Sequence, residues 1–84
     1  MTVKERLFFI LENKYMGDEH IVLSEETDLI EDLKLDSVDV FRVLTDVEEA
    51  FQIHFDDANL LIEKFSRLGN FCALIEEAFV RRNG

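Results

Sequence analysis

The sequence has 84 residues, the size of one small domain, and leaves no room for an enzyme with a deep catalytic cleft. Its 19 acidic and 9 basic residues give a net charge of −10, which repels nucleic-acid phosphates and anionic lipids and favours partners with basic surface patches. One cysteine excludes an internal disulfide, two distant histidines are too few for a zinc site, and no apolar run is long enough for a membrane span or a secretory signal.

Apolar residues recur at helical spacing, which predicts an all-α bundle of three main helices, one short helix and a long first loop. The first helix is expected to begin at Thr2, because Thr2 and Glu5 form a capping-box pattern, and its exit is marked by Gly17. Its apolar stripe consists of Val3, Leu7, Ile10 and Leu11, with Phe8 at the edge. Phe9 lies off this stripe and is expected to be exposed.

Residues 17–35 are predicted to form a long ordered loop, a kind of segment that often shapes a functional site. We expect one helical turn capped near Asp28 to Glu31. Six apolar side chains are expected to hold the loop on the bundle: Ile21, Leu23, Leu29, Ile30, Leu33 and Leu35.

The second main helix, residues 37–51, has the clearest two-sided pattern. Its inner face consists of Val40, Val43, Leu44, Val47 and Phe51, and its outer face of Asp39, Arg42, Thr45, Asp46 and Glu49.

A short third helix is predicted to run from a cap at Asp56 or Asp57 through Ile62, and the last helix is predicted to be capped by Ser66. Arg81 and Arg82 lie near its C-terminus, where cations are favourable. The apolar stripe of this last helix consists of Leu68, Phe71, Cys72, Ile75, Ala78 and Phe79.

The start of the second helix carries the candidate functional residue. Asp36 is the predicted N-cap, which leaves Ser37 at the first helical position with its hydroxyl pointing outward. A nucleophilic serine needs a base within hydrogen-bond reach, but His54 lies 17 residues further on and no Gly-x-Ser-x-Gly elbow surrounds Ser37. A helix N-terminus does suit a phosphate ester, because its free N–H groups and positive dipole end stabilise an anion. Position alone favours an ordinary helix start over a modified residue, because a serine near a helix start is nearly always a cap. We assign no catalytic residue.

The segment Leu29-Ile-Glu-Asp-Leu-Lys-Leu-Asp-Ser-Val-Asp39 resembles the acyl carrier protein signature, in which Asp-Ser-Leu follows Glu-Asp-Leu. The resemblance continues through Val47-Glu-Glu-Ala-Phe51 and Leu68-Gly-Asn70 and covers most of the chain. It implies a carrier that is not an enzyme, with 4′-phosphopantetheine attached covalently to Ser37 and Asp36 beside it. It also implies a phosphopantetheinyl transferase as partner, with magnesium only in the transferase, and acyl-loading and acyl-processing enzymes with basic patches. Acyl intermediates would then be carried as thioesters, in fatty-acid, polyketide or specialised pathways.

Some positions depart from the family's usual residues. Lys34 stands where glycine is common, Val38 replaces leucine, and Arg42 replaces an acid on the exposed face of the second helix. These departures put a housekeeping fatty-acid role in doubt and leave a specialised pathway as an equal expectation. The partner-docking set is expected to contain Val38, Asp39, Phe41, Arg42, Thr45, Glu48 and Glu49.

Two alternatives stay open at this point. The leading expectation is an acyl carrier, and the alternatives are a peptidyl or aminoacyl carrier of a nonribosomal assembly line and an acidic helical adaptor that binds partners without being modified. In each case we expect one domain over residues 1–84, a monomer, in the cytoplasm, with no nucleic-acid partner and no bound metal.

Overall fold

The computed structural model describes residues 2–16, 21–55 and 61–83. Four helices follow one another within these segments, and their order confirms the predicted small all-α bundle: α1 (Val3–Lys14), α2 (Ser37–Phe51), α3 (Ile62–Phe65) and α4 (Leu68–Asn83). In these segments no helix is long and apolar enough to cross a membrane.

The first helix begins as the capping-box pattern predicts. The Thr2 hydroxyl accepts a hydrogen bond from the Glu5 N–H at 3.1 Å, and the Glu5 carboxylate accepts from the Thr2 N–H. The helix ends at Lys14, and the predicted exit at Gly17 lies outside the described residues. Leu7 and Leu11 are fully buried, whereas Phe9 is 58% exposed as expected.

The predicted inner faces of α2 and α4 form most of the core. All five predicted inner residues of α2 are buried, and on α4 every predicted stripe residue is buried except Phe79, which is half-buried and meets the Phe51 ring edge-to-face. Arg6 ties α1 to the end of α2, since its guanidinium donates to the Ala50 carbonyl at 2.6 Å and lies over the Phe51 ring. Such a contact satisfies one of the carbonyls that a helix C-terminus leaves without a partner.

The first loop is held on the bundle nearly as predicted. Leu29, Leu33 and Leu35 are buried, and the Asp28 carboxylate accepts from the N–H groups of Ile30 and Glu31, which caps the expected turn. The prediction that Ile30 is an anchoring residue is wrong: its side chain is 40% exposed, because the turn directs it away from the core.

The prediction that Ser66 caps the last helix is wrong. Ser66 ends α3, and its hydroxyl donates to the Asp28 carboxylate at 3.0 Å. The first N–H groups of α4 are satisfied by loop carbonyls instead: Leu68 donates to Thr27 and Gly69 donates to Glu25, each at 2.8 Å. Tertiary contacts have therefore replaced the local cap that the sequence suggested.

The short third helix is also displaced from its predicted position. It begins at Ile62, where it was expected to end, and ends at Phe65, whose side chain is buried against Phe71. The proposed caps at Asp56 and Asp57 lie outside the described residues.

Candidate functional site

The site is built around the N-terminus of α2, which Asp36 caps as predicted. Asp36 has extended backbone geometry, and its Oδ1 accepts a hydrogen bond from the Asp39 N–H at 2.8 Å. Its carbonyl accepts the first helical bond from Val40 at 3.0 Å. These two bonds fix the direction in which the next side chain leaves the helix.

Ser37 is the first residue of α2 and is exposed. Within the described part of the chain, no hydrogen bond engages its hydroxyl, and none uses the N–H groups of Ser37 or Val38. An accessible hydroxyl therefore lies beside two free donors at the positive end of a helix dipole.

The first loop reaches the N-terminus of α2 through Lys34, which has an unusual backbone conformation. Lys34 has a φ of 59°, in the left-handed region that favours glycine. The reversal lets Leu35 turn inward, where its side chain is buried and its N–H donates to the Leu29 carbonyl at 3.1 Å. Asp36 and Ser37 follow directly, so the backbone of Lys34 sets the approach to the site.

An open groove of about 520 Å³ begins next to Ser37 and runs along the outer face of α2. Its apolar side chains are unusually exposed for their type: Val38 is 59% exposed and Phe41 is 47% exposed. The groove is lined by Tyr15, Val38, Phe41, Arg42, Thr45 and Asp46.

Tyr15 forms one wall of this groove and is fixed there by α2. Its hydroxyl donates to the Asp46 carboxylate at 2.5 Å across 31 residues of sequence, and the Lys14 ammonium lies 3.7 Å from the other oxygen of Asp46. Burial, together with the hydrogen bond to Asp46 and its negative charge, raises the pKa of Tyr15 far above its ordinary value. Tyr15 could not be identified from the sequence, because nothing local to it indicates a partner so far away in the chain.

The predicted docking residues divide into two groups. Arg42, Thr45 and Glu49 are exposed on α2 and Asp39 is half-buried, whereas the Glu48 carboxylate holds the chain beyond the helix. One Glu48 oxygen accepts from the Phe55 N–H at 3.0 Å and lies 3.2 Å from His54 Nδ1. A docking role for any of them stays a prediction, and Glu48 is the one already engaged in the fold.

In the described part of the chain, no histidine lies beside Ser37 to act as its base. His54 lies beyond the opposite end of α2 from Ser37, and His20 is outside the described residues. Cys72 is buried on α4, and burial raises the pKa of its thiol, so it suits a core position as expected. In the described segments, no group of three or more His, Cys, Asp or Glu residues could hold a metal ion.

Comparison with known proteins agrees with this geometry. Residues 14–75 match the family model described as phosphopantetheine attachment site, and the chain belongs to this family. It is also similar to an acyl carrier protein of Thermotoga maritima, with 32% identity over 80 residues, 92% of this chain and 96% of that protein. No solved structure matches the chain. The predicted acyl carrier resemblance is thereby confirmed, as is the expectation that the chain is a carrier and not an enzyme.

The family's prosthetic group is 4′-phosphopantetheine, held covalently. The N-terminus of α2 fits it, because an exposed hydroxyl is available for a phosphodiester and the unused N–H groups of Ser37 and Val38 could stabilise its negative charge. When bound, the group supplies a thiol at the end of a long flexible chain.

Proposed function

We propose that Ser37 is the attachment site of the phosphopantetheine arm and that the chain carries acyl groups as thioesters on that arm. The observation that supports this most is the exposed Ser37 hydroxyl at the capped start of α2, in a chain matched to the attachment-site family. Among the described residues, the Asp36 side chain holds the helix start through Oδ1, and its second oxygen has no hydrogen-bond donor there and is available to a partner.

Attachment is a phosphoryl transfer from coenzyme A. Ser37 Oγ forms a new bond to the phosphorus next to pantetheine, the bond from that phosphorus to the nucleotide's phosphate breaks, and the hydroxyl proton passes to a base of the transferase. The leaving nucleotide keeps the electrons of the broken bond. Magnesium belongs to the transferase, and the free oxygen of Asp36 is placed beside it in this proposal.

The pathway is a finer part of the proposal. Fatty-acid, polyketide and specialised acyl pathways all use such a carrier, and the outer face of α2 favours a specialised one. Phe41 and Arg42 are both exposed there, so partners that fit this face must accept an aromatic ring and a positive charge in addition to acids.

Intact mass after incubation with coenzyme A, magnesium and a broad-specificity transferase tests the attachment. We expect a gain of one phosphopantetheine group, and no gain in Ser37→Ala. Ser24→Ala is a matched control on another exposed serine and should be modified like the unchanged protein. An unchanged mass in the wild-type chain, or modification that persists in Ser37→Ala, would contradict the proposal and favour an unmodified adaptor or another site.

A further inference from the structure

We propose that the groove along the outer face of α2 is a binding site for the protein's own pantetheine arm, which rests there when no partner enzyme has taken it up. The inference rests on the proposed attachment at Ser37 and adds a ligand site to it. Its occupant is the neutral chain of the arm, which has two amides and a dimethyl-substituted carbon between the phosphate and the thiol.

The groove lies within reach of an arm attached at Ser37. The groove begins at Val38, the residue after the attachment point, and continues through Phe41 to Thr45. Because an α-helix rises about 1.5 Å per residue, Thr45 lies about 12 Å along α2 from Ser37. An arm anchored at Ser37 can therefore lie along the groove without leaving the surface, and tethering greatly raises its local concentration there.

The side chains that line the groove match the chemical groups of the arm. Ligand sites are mostly apolar with a few placed polar groups, and this groove has that composition. Val38, Phe41 and the ring of Tyr15 offer apolar surface to the dimethyl and methylene groups. The Thr45 hydroxyl donates to the Phe41 carbonyl at 3.1 Å, which leaves its oxygen able to accept from an amide N–H of the arm.

Arg42 adds a hydrogen-bond donor to the lining of the groove. Arg42 and Asp46 stand at the spacing that usually allows a helical ion pair, but Asp46 is engaged by Tyr15 and Lys14. In the described residues, no carboxylate lies within ion-pair distance of Arg42. Its guanidinium is thus available to donate to a carbonyl of the arm.

The groove is partly preformed. The hydrogen bond between Tyr15 and Asp46 fixes one wall of the groove by joining the end of α1 to α2. A preformed wall lowers the ordering cost of binding a flexible chain.

Proton NMR of the modified protein tests the inference. We expect nuclear Overhauser contacts from the arm's dimethyl group to the Phe41 ring and the Val38 methyls, and amide shifts on modification that extend to Thr45. In Phe41→Ser these contacts should disappear and the shifts beyond Val38 should shrink at least twofold. Phe9→Ser is the matched control, since Phe9 is an exposed aromatic residue on α1, somewhat more exposed than Phe41; it should leave the contacts intact.

The outcomes separate the inference from the proposed function. If mass spectrometry shows the arm attached while the shifts stop at Val38 and no contact reaches Phe41, the groove inference is wrong and the attachment stands. If groove signals move only when a partner enzyme is added, the groove is a docking surface and the inference is again wrong. If no mass is gained, both fail. Circular dichroism of Phe41→Ser and Phe9→Ser verifies that both variants fold.

Discussion

Lys34 holds a backbone conformation that glycine adopts more easily, three residues before the proposed attachment site at Ser37. A residue with a Cβ atom in the left-handed region is strained by about 1–2 kcal/mol. The family resemblance marked this position as one where glycine is common, and the φ of 59° gives the physical reason. The turn is kept although position 34 lacks the glycine that would remove its backbone strain, because the turn brings Leu35 to the core.

Replacing Lys34 with glycine should therefore stabilise the protein. We expect Lys34→Gly to raise the free energy of unfolding by about 1 kcal/mol, measured by urea denaturation. Lys34→Ala keeps the Cβ atom and removes the charge, so it should show little or no gain. Equal stability of the two variants would mean that side-chain charge, and not backbone strain, determines the effect.

Tyr15 offers a second test at this scale, because it is the single tyrosine in the sequence and tryptophan is missing. Burial and the bond to Asp46 raise its pKa in the folded state, so the native protein holds the phenolic proton more tightly than the unfolded chain does. The resulting stabilisation is fully present below pH about 10 and is lost as the pH rises further.

Tyrosinate absorbance during an alkaline titration measures this directly. We expect the midpoint of the folded protein to lie well above pH 10, and Asp46→Asn to move it downward. Tyr15→Phe should reduce stability at neutral pH by about 1–2 kcal/mol through loss of the hydrogen bond to a charged acceptor. A midpoint at the ordinary tyrosine value would contradict the buried, bonded arrangement.

At the scale of whole elements, the start of α4 depends on a close approach to the first loop. A Cβ atom added at Gly69 would lie 3.1 Å from the Glu25 carbonyl oxygen and 3.2 Å from Glu25 Cβ, while the Gly69 N–H donates to that same carbonyl. Glycine thus allows the loop carbonyl to cap the helix.

Gly69→Ala should destabilise the protein by about 1–3 kcal/mol, although alanine is the better helix former, because the loop must move away and the capping bond weakens. Asn70→Ala, at the next and exposed position, is the control and should be neutral or slightly stabilising. Thermal unfolding of both variants provides the comparison. A more stable Gly69→Ala protein would show that Glu25 yields without cost.

Elements with a strong local pattern were predictable, whereas those fixed by distant contacts were not. The bounds of α2 and its Asp36 cap follow from side-chain periodicity and local capping, and the structure reproduces both. Serine is a good N-cap, which predicts a cap at Ser66, but Asp28 binds its hydroxyl from 38 residues away and loop carbonyls cap α4. The groove was missed for the same reason, since its Tyr15 wall meets α2 only through the tertiary fold.

For the whole molecule, the net charge of −10 is the dominant long-range feature. Charged surfaces speed the encounter of complementary partners, and salt reduces this effect as the screening length falls from about 30 Å at 0.01 M to about 3 Å at 1 M. The direction of approach then depends on where the charge lies relative to Ser37.

Asp39→Lys should lower the kcat/KM of modification by the transferase at low salt, and the difference from the unchanged protein should shrink in high salt. Glu76→Lys on α4 changes the net charge equally, from −10 to −8, and should have the smaller effect if docking is local to α2. Equal losses in both variants would indicate a general field effect. No loss at low salt would remove electrostatic docking at Asp39.

The deep placement of Cys72 makes the modified protein simple to label. Cys72 is 5% exposed, and burial raises the pKa of its thiol, so little reactive thiolate is present near neutral pH. A mild alkylating dye should consequently mark only the tip of the attached arm in the native chain. Fluorophores or spin probes can then follow the arm's movement without any engineered substitution.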